Sequence, residues 1–547
     1  MKTATDDLIN ALGNPGKFQV LLYLYLATNW TYCSWNHLGM AFLAAKTDYS
    51  CKIDNNSNAT PLASLPFLEN GKRQYDRCHV YGGFNSTEKI PCPNGWIYKL
   101  PDRESTIISE WDLVCGNAYK ASLSITLYFV GVMLGSLTFG LLSDKFGRRP
   151  VFLCTMTTPF FVGLPLLFTK NFAVFVALRL LLGFLIQGVQ IVSFTRMIEI
   201  TSTRYRTYSG FGVGFPWAIG MMLFSLFSYL IKDWRYIQLL STTVCLLQIG
   251  QFWFLPESIR WLLINQCFDK AENVVHKISK FNNIPVPTTL MQGTINEVKD
   301  KQQSEDETEQ QKITFVFNLL KSNVLRRRTL ILMVVWFSTS LGYYGLTLNI
   351  SNLAGSKYLN YFISAVLEIF IVIVTISISK RFGRRRPLSV YCLIGGILLI
   401  IAGVIPKSNS RIHVLVTIMA LIGRMFLTGI FSIIFVFTSE LYPTPMRNLG
   451  LGVGIFWARV GSIAAPQILL LGTYTSDVMS MLTFGCLVLI CGILVCWLPE
   501  TFNVHLPECM KDAEKQVAKR KKQDKACIEN EESKDVELKP LNKNAKN

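Results

Sequence analysis

Apolar stretches of about twenty residues, the length that crosses a hydrocarbon core about 30 Å thick, recur along this chain between shorter polar segments. They predict helical spans at 17–45, 119–142, 150–169, 172–195, 208–231 and 236–255, then at 329–350, 358–379, 387–405, 413–438, 449–472 and 478–498. The first is too long and too aromatic for a cleaved signal peptide and reads as a signal anchor. Two long polar stretches interrupt the series, 46–117 and 256–328, the second including the mixed-charge run Lys299 to Gln311. Residues 499–547 form a Lys/Glu-rich tail with too few apolar positions for a core. The expected fold is all-α and integral to the membrane, with twelve transmembrane helices. A six-helix half over 17–255 follows an N-terminus of 16 residues, and a second half over 329–498 follows the loop 256–328.

Half of the 547 residues are hydrophobic and 16% are charged, against about a quarter charged in soluble domains, which excludes a soluble enzyme and a disordered chain. The 54 basic against 36 acidic residues give a formal charge of +18. A nucleic-acid partner would need a basic stripe interleaved with aromatics; here the basic residues lie in clusters between spans, which excludes that partner. Stretch 46–117 holds Cys51, Cys78, Cys92 and Cys115 with sequons at Asn55, Asn58 and Asn85, as an oxidising extracellular loop with two disulfides would, and any of three pairings satisfies the count. With that loop outside, alternation puts Lys145, Arg148, Arg149, Arg204, Arg206, Arg326 to Arg328, Arg381 and Arg384 to Arg386 in the cytoplasm, along with both termini. The five histidines are scattered and no phosphate-binding Gly-Lys-Ser/Thr loop occurs, so neither a metal site nor ATP-driven chemistry is expected and the chain does not read as an enzyme.

Three short patterns recur at matching places in the two halves. Gly147-Arg148-Arg149 answers to Gly383-Arg384-Arg385, Glu199 with Arg206 seven residues on answers to Glu440 with Arg447, and Leu255-Pro256-Glu257-Ser258 answers to Leu498-Pro499-Glu500-Thr501. Duplicated halves with the site between them are the plan of a transporter. Asp144, Arg148, Arg149, Glu199, Arg206, Glu440 and Arg447 are therefore expected to form a cytoplasmic charge network, made in one state and broken in another. A plain positive-inside turn would explain any one cluster, but not its repetition.

Gly140 to Arg149 resembles the signature loop of the major facilitator superfamily. Further segments resemble the organic cation, organic anion and carnitine transporters of solute carrier family 22: Ser109 to Cys115, Asp233-Trp-Arg235, Pro256 to Leu262, Trp336-Phe337 with Tyr343 to Leu346, and Glu440 to Thr444 with Arg447 to Gly450. The resemblance implies the major facilitator fold, a plasma-membrane location and a gate around Asp144. Lys380 departs from the pattern, standing where the second copy would carry the acid.

Ionisable residues near the midplane cost about 2.5–3.5 kcal/mol each on insertion scales and mark partners or wet cavities. Arg179, Glu368, Arg424 and Arg459 are of this kind. Arg179 and Arg424 occupy corresponding spans and read equally as structural residues; Glu368 and Arg459 lie closest to span centres and read as substrate ligands or as an ion pair with each other. By resemblance, Arg459 stands where anion and carnitine carriers have arginine and cation carriers aspartate, whereas Val372 replaces the lysine of anion carriers. One guanidinium and one carboxylate suit a zwitterion such as carnitine; the excess of basic residues keeps an organic anion in play. Trp336 and Tyr343, seven apart on one helix face, with Tyr344, offer rings to a quaternary ammonium, worth about 0.5–2 kcal/mol. Gln187, Gln190 and Trp217 are weaker candidates, and Asn349 reads as a helix-end residue. The expected activity is alternating-access transport of a small organic ion through the lipid bilayer without bound cofactor, coupled to sodium, protons or exchange; a simple cation carrier, a channel and a non-transporting sensor are the remaining alternatives.

Overall fold

The computed structural model describes residues 4–13, 15–52, 66–69, 72–75, 78–81, 89–100, 104–202, 205–248, 250–285, 287–305, 322–406, 409–443 and 446–502. The N-terminal part holds α1 (Ala4–Ala11), α2 (Lys17–Leu38), α3 (Ala118–Phe146), α4 (Arg148–Leu166), α5 (Phe172–Ile200), α6 (Gly214–Ile231) and α7 (Trp234–Thr243). Between the halves lie α8 (Ile259–Ile264), α9 (Phe268–Asn282) and α10 (Thr288–Glu305). The C-terminal part holds α11 (Asn323–Leu348), α12 (Lys357–Phe382), α13 (Arg385–Val404), α14 (Ser410–Leu441), α15 (Arg447–Tyr474) and α16 (Asp477–Val495).

Among the described residues ten helical segments are long and apolar enough to cross a membrane, which makes this an all-α, multi-pass membrane protein. The expected spans that fall outside the ten, α2 and α4, are helices whose composition is more polar. Lys17, Gln19, Asn29, Asn36 and His37 lie along α2, and α4 opens on Arg148 and Arg149.

Within each half the same contacts recur: α3 and α4 pack on α5 as α12 and α13 pack on α14. The halves meet along two seams, α3 against α15 and α6 against α12, and the sequence repeat exchanges one seam with the other. Call the end of α3 that starts beside Cys115 the disulfide end and the end at Asp144 the arginine end. Toward the disulfide end the seams are closed by Gln467 Nε2 donating to Thr126 Oγ1 at 2.8 Å, by Ser225 Oγ donating to the Tyr358 carbonyl at 2.6 Å, and by Phe42 between Tyr358 and Tyr361. At the arginine end Lys380 Nζ donates to the Tyr208 hydroxyl at 2.8 Å, so the residue that breaks the repeat joins the halves.

Two polar stretches are more structured than their composition implied. In 46–117, Asp48–Cys51 pairs antiparallel with Trp96–Lys99, Cys51 opposite Trp96, and two shorter ladders join Pro66–Glu69 to Lys72–Tyr75 and His79–Tyr81 to Lys89–Pro91. The disulfides are Cys51–Cys92 and Cys78–Cys115. The sequons at Asn55, Asn58 and Asn85 lie outside the described residues. The central stretch begins with α8, α9 and α10, which close a small core with α1 from Leu8, Leu12, Leu262, Ala271, Val275 and Ile278, and Arg260 pairs with Asp6. The helical spacing of Ala271, Val275 and Ile278 was the sequence signal for it.

Candidate functional site: the arginine-end network and the buried charges between the halves

At the arginine end, each half builds the same carboxylate nest from a glycine, two arginines and a distant glutamate. Gly147 has φ 102° and Gly383 φ 87°, so α4 and α13 each start from a backbone region nearly restricted to glycine. That turn aims the first amides of the helix at one carboxylate: the Arg148 and Arg149 amides donate to Glu257 at 3.1 Å, and the Arg384 and Arg385 amides to Glu500 at 2.9 and 3.2 Å. An anion here satisfies otherwise unpaired donors and faces the positive end of the helix dipole. A Cβ on Gly147 would stand 2.7 Å from Glu257 Oε2, and one on Gly383 would stand 2.8 Å from the Glu500 carboxylate. We expect Gly147→Ala and Gly383→Ala each to cost about 1–3 kcal/mol through the forced backbone alone, plus displacement of the carboxylate. Thermal unfolding in detergent, with Gly140→Ala as a control whose Cβ meets open space, measures it.

The side chains complete the network. Arg148 bridges Asp144 at 2.5 Å and Glu199 at 3.2 Å; Arg149 Nη2 donates to the Phe252 carbonyl at 2.8 Å. In the second copy Arg384 reaches Glu440 at 3.5 Å, and Thr501 Oγ1 donates to Glu440 at 2.5 Å. Glu199 and Glu440 are thus joined to the arginines of the Gly-Arg-Arg turns. Among the described residues Arg447 Nε and Nη2 are buried without a hydrogen-bond partner, and the Arg206 side chain lies outside the described residues. The expected network omitted Glu257, Glu500 and Arg196, which is buried and bonded to Glu257 at 3.3 Å. The repeated Pro-Glu pair was the signal for the two glutamates.

Between the halves the charged residues form two groups. In the first, Glu368 on α12 pairs with Arg424 on α14 at 3.1 Å, both about 2% exposed or less. Arg424 Nε donates to Thr347 Oγ1 at 2.8 Å, its Nη1 to Ser364, and its guanidinium lies 4.6 Å from the Tyr343 ring centre; Thr428 Oγ1 donates to Glu368 at 3.2 Å. Glu368 therefore does not pair with Arg459. The rotation of α14 about its axis, invisible in a hydropathy profile, turns Arg424 toward α12.

In the second group Arg459, half-buried on α15, donates from Nη2 to Gln190 Oε1 at 3.3 Å across the seam and lies against the Tyr344 hydroxyl; its buried Nε has no partner. Tyr344 sits edge-on to Phe129 at 4.8 Å, and Tyr343, whose hydroxyl accepts from Trp217 Nε1 at 2.9 Å, lies 5.3 Å from Tyr344. The rings thus link the two groups. Arg179 is 1% exposed over the Tyr128 ring at 4.4 Å, with Nε and Nη2 unpartnered; Gln187 is buried with its Oε1 unpartnered. Trp336 and Tyr343 both meet the Phe431 ring, at 6.2 and 5.6 Å, but Trp336 donates to Thr438 at 3.1 Å and meets Phe435 edge-on, so it packs inside the C-terminal half. Val372 lies against Gly214, and Asn349 accepts from Asn352 at the end of α11. Among the described residues no cluster of three or more His, Cys, Asp and Glu side chains is placed to hold a metal ion.

Lys357 of α12 pairs with Glu104 of the disulfide loop, an ion pair that joins the halves at the disulfide end, with Glu104 6% exposed. We expect Glu104→Lys to weaken closure of that end and the swap Glu104→Lys with Lys357→Glu to restore it. Accessibility of a cysteine placed at Ser225 to a membrane-impermeant thiol reagent, in a background lacking the exposed Cys154, Cys486 and Cys496, reports closure.

Two repeated halves, a two-fold pair of seams and charges enclosed between them define a small-molecule transporter of the major facilitator type. Residues 43–512 match the sugar (and other) transporter family. The chain belongs to that family and, within it, to the organic cation/carnitine transporters of solute carrier family 22. It is 33% identical over 521 residues to an organic cation transporter protein of Drosophila melanogaster, covering 93% of this chain and 94% of the relative. It is 32% identical over 530 residues to the organic cation/carnitine transporter 2 of Homo sapiens, covering 92% of each. The fold is that of the xylose transporter XylE from E. coli in an inward-open conformation, with TM-score 0.62, 15% identity, and coverage of 89% of this chain and 98% of that one. These relatives are transporters, and the chain is a transporter and not an enzyme.

Proposed function

We propose that the chain is a polyspecific organic-ion transporter of the plasma membrane, with twelve spans in two six-helix halves, both termini in the cytoplasm and the disulfide loop, glycosylated at Asn55, Asn58 and Asn85, outside. Substrate enters between the halves, which rock about the seams; at the arginine end the Lys380–Tyr208 contact between the halves opens and re-forms, and the charge network around Asp144, Arg148, Glu199, Arg384 and Glu440 rearranges with it as the gate. The preferred substrate is a carnitine-like zwitterion. One observation carries this reading: Arg459 offers an unpartnered guanidinium nitrogen at the seam beside Gln190, Tyr344 and the ring series through Tyr343 to Trp217. A carboxylate takes the guanidinium by charge-assisted hydrogen bonds, and an ammonium takes the ring faces. The names of the relatives support the same substrate class.

A second reading, an organic anion, is favoured by the pairing of Glu368 with Arg424. That pair leaves Arg459 and Arg179 as uncompensated positive charge and removes the carboxylate that would attract an ammonium. Uptake of labelled carnitine, a simple organic cation and an organic anion into expressing oocytes, each with and without sodium and at two external pH values, separates the readings and identifies the coupling ion. Saturable carnitine uptake is expected; anion uptake with no carnitine signal selects the second reading, and an ohmic current without counterflow rejects transport by alternating access.

A further inference from the structure

The seam between α6 and α12 opens sideways into a cavity of about 470 Å³ toward the disulfide end, lined by Ile219, Leu223, Leu226, Tyr229, Leu359 and Phe362. Both helices belong to membrane-crossing segments, so this wall faces lipid. Leu223, Leu226, Leu359 and Phe362 are each more than a third exposed. The mouth is built differently. Tyr229 and Tyr358 meet edge-on across the seam at 5.5 Å, Lys232 lies over the Tyr229 ring at 5.9 Å and Lys357 over the Tyr358 ring at 5.3 Å. Two aromatic rings with flanking lysines at the end of an apolar groove reproduce the order of a bilayer from headgroup level to acyl region. Lys357 is engaged by Glu104, whereas Lys232, held at the end of α6 in a left-handed conformation with φ 62°, sits over its ring.

We propose that this groove is a binding site for one phospholipid, with an acyl chain between α6 and α12 and the phosphate on Lys232. The occupant follows from the lining. An apolar slot open to lipid admits a chain, and a cation at its mouth selects a chain that carries an anionic group. Since one wall comes from each half, the site exists only while the halves are joined at this end, and a bound lipid favours that closed state.

The test uses the purified full-length transporter in phosphatidylcholine nanodiscs doped with an anionic phosphatidylglycerol bearing a diazirine near the middle of one acyl chain. After irradiation, peptide mapping is expected to find adducts concentrated in 219–229 and 356–362, well above those on the exposed face of α16 around Ile490 and Ile493. Leu226→Trp, which fills the slot, should abolish the excess, and Lys232→Gln should lower it about fivefold, the effect of one lysine on an anionic headgroup at a membrane surface. Retained thermal stability of both variants shows that they fold. Labelling no denser than at Ile490, or unchanged in a folded Leu226→Trp variant, overturns the site. Labelling indifferent to Lys232→Gln and reproduced by a diazirine fatty acid overturns the phospholipid in favour of a free acyl chain.

Discussion

Arg424→Met alone is expected to destabilise the transporter by about 3–5 kcal/mol, and Arg424→Met with Glu368→Gln to recover most of the loss. Both charges are enclosed, so the desolvation cost of each is offset chiefly by the other at 3.1 Å and by the hydroxyls of Thr347, Ser364 and Thr428. Removing the guanidinium leaves a carboxylate with one hydroxyl donor among the described contacts, close to the Tyr343 hydroxyl. Removing both charges leaves a site of ordinary polarity, and a well-packed replacement of a buried pair is frequently neutral. Thermal unfolding of wild type, both single variants and the double variant in one detergent forms the cycle. A double variant as unstable as Arg424→Met would mean that the arginine acts through packing on Tyr343, not through the pair. The same cycle bears on substrate. If Glu368 also binds an ammonium, Glu368→Gln weakens carnitine uptake beyond what its loss of stability explains.

What the sequence made legible was depth and repetition. Hydropathy located the apolar segments, and the repeated Gly-Arg-Arg, Glu and Pro-Glu patterns marked the sequence positions from which both nests are built, though not that Glu257 and Glu500 fill them. Azimuth was not legible. Glu368, Arg424 and Arg459 were all recognisable as charges inside the membrane, but which acid meets which arginine depends on how α12, α14 and α15 are turned about their axes. Trp336 and Tyr343 illustrate the same limit: seven apart on one face, both rings meet Phe431 of α14, yet Tyr343 also meets Arg424 and, on α6, Trp217, while Trp336 donates to Thr438. The repeated charges marked a network but not its partners: Glu440 faces Arg384 because the turn at Gly383 brings the start of α13 against the end of α14. The strands of the disulfide loop are three or four residues long, so the alternation within Asp48–Cys51 and Trp96–Lys99 is too brief to stand out in the sequence.

Arg459→Gln and Arg459→Asp should alter selectivity with little effect on folding, the opposite of the Arg424 variant. Arg459 donates one hydrogen bond to Gln190 and has the Tyr344 hydroxyl as neighbour, with no carboxylate in either contact, so its loss leaves no opposite charge stranded there. A substrate carboxylate on that guanidinium contributes about 1.5–3 kcal/mol, so Arg459→Gln is expected to raise the KM for carnitine about 10- to 150-fold while the cell-surface level stays near wild type. Arg459→Asp adds repulsion of the carboxylate and attraction for an ammonium, and should abolish carnitine and anion uptake while admitting a simple organic cation. Competition assays on the same cells compare the three substrate classes directly. Unchanged selectivity in a normally expressed Arg459→Asp variant would remove Arg459 from the site and turn attention to Arg179, buried over Tyr128 with two nitrogens unpartnered among the described residues, as a cation able to hold a carboxylate.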